Sequence, residues 1–97
     1  MELNPKKAYL ITTSGSVTEI TPRDGREFEL EEAQVRVEGY VEIVQLSEEV
    51  IMIINEEGKY TKGLNAVATG IANSHGALWY GDYICGNVVI CPSRMFT

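Results

Sequence analysis

The most constraining feature of this chain is Val50-Ile51-Met52-Ile53-Ile54, its longest uninterrupted apolar run. Five residues fall far short of the about 20 that a membrane-crossing helix requires, so the run belongs in a globular core. Alternate side chains of a strand point to opposite faces, and a run with no polar member therefore needs cover on both. Val50–Ile54 is expected as a strand central in its sheet. Tyr40–Leu46 precedes it as a partner strand, and the two should turn at Ser47-Glu48-Glu49.

Two more β-branched and aromatic stretches, Lys7–Thr13 and Val17–Thr21, flank Ser14-Gly15-Ser16 and predict an opening hairpin. Pro22 closes its second strand because it has no N–H for the ladder. Thr21–Arg26 is a surface turn. From Leu30 the period changes. Leu30, Ala33 and Val37 recur at helical spacing with Glu31, Glu32 and Arg36 opposite, which predicts a short amphipathic helix ended by Gly39 in a left-handed cap. Asn55–Lys59 predicts a turn with Gly58 in the special backbone position. Leu64–Asn73 predicts a second helix with Asn65 as N-cap, in which Gly70 costs roughly 1 kcal/mol relative to alanine. Tyr83–Cys91 predicts the last strand, where Gly86 makes a bulge or, with Asn87, a two-residue hairpin turn. Pro92 stops it. The expected architecture is α+β in a single domain over residues 1–97: about five strands in a mostly antiparallel sheet, with two short helices on one face.

Composition fits this reading. At 97 residues, with 44% hydrophobic and 23% charged content, the chain has the make-up of one folded domain and not of a disordered tail. Ala8–Ile11 is too short an apolar run for a signal peptide and Glu2 precedes it, so a cytoplasmic protein is expected. Cys85 and Cys91 are too few for a disulfide framework. On one extended strand they would lie roughly 20 Å apart, beyond the ~7 Å a disulfide can bridge, so both are expected as reduced thiols.

Charge divides the chain. Residues 1–58 hold 13 acidic and five basic residues, net −8, whereas residues 59–97 hold three basic residues against Asp82, net +2. A total of −6 opposes direct binding of nucleic acid, which rewards cations set against phosphates. It suits a basic partner better.

Gly39-Tyr40-Val41-Glu42, Asn55-Glu56-Glu57-Gly58-Lys59, Leu64-Asn65 with Ala68-Thr69, and Asp82-Tyr83-Ile84-Cys85-Gly86 with Val88-Val89 together resemble a known family. It is the small domain of unknown function numbered thirty-eight forty-six, found on phage, plasmid and other mobile-element genes. The likeness covers residues 7–91, with its motifs in residues 39–91. The chain departs from the pattern at Glu38, where a second glycine is usual, and at Leu64, beside which a proline is common. The resemblance implies a fold and a mobile-element habitat but no settled activity. Carried over by position, it marks Glu42, Asn65, Asp82 and Gly86. Each has a plain structural role available: a strand carboxylate, a helix cap, a turn residue beside Gly81 and a backbone demand for glycine.

Chemistry finds few other footholds. His75 is the sole histidine and could act as base for Cys85 or Cys91 only if the fold brought them within about 3 Å; a small enzyme using Glu42 or His75 with either thiol is the alternative to a binding domain. Three soft ligands fall short of a structural zinc site, and the scattered glycines make no phosphate-binding loop, so neither metal nor cofactor is expected. Trp79 and Tyr80 head an aromatic-rich C-terminal stretch and are candidates for a protein contact. The carboxylates Glu27, Glu31, Glu32 and Glu38 offer an acidic face, which admits a further alternative, a DNA-mimic or anti-defence protein. The leading expectation is a non-enzymatic accessory domain that binds another macromolecule, most simply a protein. Its oligomeric state is not legible in the sequence.

Overall fold

The computed structural model describes residues 2–97. Its centre is built from the most apolar segments, β4 (Val50–Asn55) and β5 (Val88–Pro92). With β1 (Ala8–Ile11), β2 (Val17–Ile20) and β3 (Val41–Gln45) they form one sheet in the order β2-β1-β5-β4-β3, antiparallel throughout. β5 is the middle strand and is buried along its whole length, with β4 beside it. The sheet with its helices makes the fold α+β.

Strand alternation sorts these residues into two cores. Ile51, Ile53, Val89 and Cys91 pack with Ala33 and Val37 of α1 (Leu30–Val37) and with Phe28. Met52, Val88 and Ile90 pack with Ala68 and Ala72 of α3 (Ala66–Ser74) and with Ile11 and Ile84. The helices therefore lie on opposite faces, not together on one. The apolar run in β4 requires this, since a single helical layer would leave either Met52 or the pair Ile51 and Ile53 in water.

α1 is turned relative to its expected face. Glu32 is buried, while Leu30 is 53% exposed. Glu32 tucks beneath the preceding loop, where Oε2 accepts the Arg23 backbone N–H at 2.9 Å. The helix ends on Glu38 and not on Gly39: Glu38 has φ +64°, the left-handed conformation. Its side chain accepts from Lys62 Nζ at 2.9 Å. Gly39 answers a different demand, because a Cβ there would sit 2.7 Å from Asn55 Nδ2. Asn55 needs that space. Its amide donates to the carbonyls of Val37 and Glu38 (3.0 and 3.2 Å), and its Oδ1 accepts the Glu57 N–H (2.8 Å), so one buried side chain finishes α1 and steers the chain leaving β4.

The expected turn at Asn55–Lys59 is in fact the entry to a short helix, α2 (Gly58–Thr61). Gly58 is not left-handed; a Cβ there would lie 2.6 Å from the Cys85 carbonyl oxygen. Asn65 caps α3 as expected, its Oδ1 accepting the Ala68 N–H at 3.0 Å. The last strand is shorter than its apolar pattern. Cys85 makes an isolated bridge to Leu64, Gly86 (φ +88°) turns the chain, and β5 begins only at Val88. The two cysteines thus do not share a strand, and both are free and buried.

Candidate functional site

The segment between α3 and β5 rises from the sheet as a wall. It is held at both ends. Ala77 and Leu78 pack on the α3-side core, and at the far end the Ile84 N–H donates to Thr69 Oγ1 at 2.9 Å. Between these anchors the Asp82 N–H donates to the Trp79 carbonyl at 2.9 Å with Gly81 at φ +80°, the left-handed position a type II turn reserves for glycine. Trp79 and Tyr80 lead this turn. Tyr80 stands fully exposed at its tip, and Trp79 is 86% exposed on the side that faces β3 across a groove.

The groove is open and encloses about 550 Å³. Glu42, Val44 and Ile54 line it from the sheet, Lys59 and Tyr60 from α2, and Trp79, Asp82, Tyr83 and Cys85 from the wall. Lys59 and Asp82 close a salt bridge between α2 and the wall. The Lys59 ammonium also lies 5.0 Å from the centre of the Tyr83 ring, a cation–π contact. The Lys59 side chain and the Tyr83 backbone N–H, both bonded to Asp82, hold its carboxyl below the usual aspartate range, and Asp82 in turn raises the Lys59 ammonium above its usual value. Glu42 and Glu56 enter no ion pair among the described residues, so the groove keeps two uncompensated carboxylates.

β3 is an edge strand, and its residues 42–45 line this groove. Leu46 N–H donates to the Val50 carbonyl (3.0 Å) and Glu56 N–H to the Tyr40 carbonyl (2.8 Å). With the register Ile43↔Ile53, this alternation makes the even-numbered residues the bonded partners of β4. The amide and carbonyl groups of Val41, Ile43 and Gln45 therefore point outward.

Comparison with known proteins decides the family. Residues 6–94 match the Domain of unknown function (DUF3846). The chain belongs to that family. Neither the curated proteins nor the solved structures contain a match to it. Membership in DUF3846 thus carries the family's fold-length domain but no activity.

The residues marked by sequence separate into two groups. Glu42, Asp82 and Trp79 meet in the groove, with Tyr80 on the same wall. Asn65 and Gly86 are parts of the frame. Fully buried, Asn65 donates to the carbonyls of Ile11 (3.1 Å) and Gly86 (2.8 Å) besides capping α3, so it ties β1, α3 and the approach to β5 in one place. Gly86 packs against the Lys62 stem, where a Cβ would come within 3.2 Å.

The remaining candidates are dispersed. His75 lines a separate cavity of about 110 Å³ beside Leu46 and Ile90, away from Cys85 in the groove. Cys91 lies in the α1-side core, where burial raises its thiol to about 12. The four carboxylates of the expected acidic face are also divided. Glu31 is exposed and Glu27 accepts from the Thr97 hydroxyl (2.7 Å), but Glu38 is paired with Lys62 and Glu32 is buried. Among the described residues no group of three His, Cys, Asp or Glu side chains is gathered to hold a metal, and no helix is long and apolar enough to cross a membrane. Lys59, Tyr60 and Asn55 were not singled out by sequence. The signals for Asn55 are its place as the polar residue that ends the apolar run and as the first residue of the Asn55–Lys59 motif.

Proposed function

We propose that this DUF3846 domain is a non-catalytic binding module whose partner is a protein, and that its contact surface is the groove between β3 and the Trp79–Asp82 turn. The observation that carries this reading is the display of aromatic rings around one open cleft: Tyr60 is 87% and Trp79 86% exposed. Such area in water is costly for a monomer to leave uncovered, and Trp and Tyr are the side chains most enriched at the energetic centres of protein interfaces. A net charge of −6 speaks against nucleic acid as the direct partner. The mobile-element habitat implied by the family resemblance suits a small accessory protein acting on a host or element protein in the cytoplasm, where both thiols stay reduced. The acidic-mimic alternative loses support because Glu32 is buried and Glu38 is paired.

Site-specific photocrosslinking tests this reading. A benzophenone amino acid is placed at Trp79, or at the exposed control position Thr18 on β2, in cells carrying the native gene. A discrete adduct from position 79 alone, sensitive to protease and resistant to nuclease, is expected. Adducts that are nuclease-sensitive, or identical from both positions, contradict it.

A further inference from the structure

The groove and the free β3 edge are one feature, because residues 42–45 of β3 line the groove along their length. An exposed edge with unpaired amides and carbonyls is a template for another strand. We propose that β3 takes up an extended, lysine- or arginine-bearing segment of the partner as a sixth strand of the sheet, with the segment's cationic side chains in the groove. This rests on the protein-binding reading above and names the chemistry of the segment.

Charge selects that occupant. Glu42, Glu56 and Asp82 line the groove against the single cation Lys59, and Lys59 is already engaged by Asp82. An incoming ammonium or guanidinium would meet Glu42 and Glu56, together with the faces of Tyr60 and Trp79. Lys59 over the Tyr83 ring displays the same contact within the molecule. A second copy fits poorly: antiparallel self-pairing about Ile43 would align two sets of Glu42 and Glu56 with no free cation between them. Alternation in the added strand would send every second side chain, about 7 Å apart, toward the groove, so a lysine at every other residue matches it.

Trp79 is the sole tryptophan, and its fluorescence reports occupancy directly. The probes are a blocked heptapeptide of alternating Lys and Val, the same peptide with Glu for Lys, and the Lys peptide N-methylated at alternate amides. Saturable quenching by the Lys peptide is expected, with the other two at least about tenfold weaker, the scale of one lost hydrogen bond or ion pair. Ile43→Pro removes an outward N–H while sparing the bonds to β4 and should weaken the Lys peptide about tenfold. Glu42→Lys should reverse the preference between Lys and Glu peptides, which keeps the test decisive if the proline variant unfolds. Equal binding of the N-methylated peptide, equal binding of the two charge types, or no saturable quenching by any probe overturns the proposal. The protein-binding reading would then still stand on the crosslink at position 79, and it fails separately if that crosslink is absent.

Discussion

The two faces of the sheet share the same five strands and end differently at β3. On the α1 face, α1 touches β3, β4 and β5, and Asn55 pins its C-terminus. On the other face, Ala68 and Ala72 bring α3 against Ile11, Val88 and Ile90, and cover reaches Val44 of β3 only in part and leaves Glu42 exposed. Two adjacent residues account for the contrast. Val41 faces the covered side and packs against its core, whereas Glu42 faces the other, where an unpaired carboxylate cannot be buried without heavy cost. The groove thus opens beside an exposed carboxylate on an edge strand.

That contrast can be broken first at its rigid side. Asn65→Leu removes the α3 cap and strands the carbonyls of Ile11 and Gly86, so a loss of about 3 kcal/mol is expected in urea denaturation. Gly58→Ala drives a Cβ into the Cys85 carbonyl and should cost about 2 kcal/mol by the same measurement, while perturbing the groove wall through Cys85. On the open side, Glu42→Val should change stability by no more than about 0.5 kcal/mol, yet produce concentration-dependent self-association in analytical ultracentrifugation by leaving the edge apolar. A strictly monomeric variant would show that Glu42 does not guard the edge.

The smallest expected effect is a pH dependence. Because Asp82 is held below its ordinary value of 3.8, the Lys59 contact stabilises the fold above that pH and is lost as pH falls through the lowered value. The raised Lys59 gives the mirror case, present below 10.5 and lost as pH rises through its folded value. Asp82→Asn should flatten the acid limb of the stability profile slightly and leave neutral stability almost unchanged, as befits a solvent-screened pair.

Much of the frame was legible because it follows from local rules. The β4 run demanded two covered faces, Ser14-Gly15-Ser16 and Ser47-Glu48-Glu49 formed the turns their residues favour, and Asn65 capped the helix it precedes. Two of the departures come from tertiary contact. Gly39 and Gly58 resemble turn glycines but serve close approach by Asn55 and by the Cys85 carbonyl, partners 16 and 27 residues away in sequence. The helices divide between the two faces because the β4 run needs cover on both. In the groove, Trp79, Asp82 and Glu42 were visible as separate candidates. Their meeting was not, since it depends on the chain crossing from α3 over the β3 side of the sheet, and nothing in local pattern marks Lys59 as the partner of Asp82.

Amide hydrogen exchange along β3 tests the central claim most directly, because the open edge and the groove stand or fall together there. In the free protein, Glu42 and Val44 should exchange slowly and Ile43 and Gln45 rapidly; saturating Lys/Val peptide should then protect Ile43. An Ile43 amide already protected in the free protein, or one still exchanging rapidly at saturation, would contradict the account.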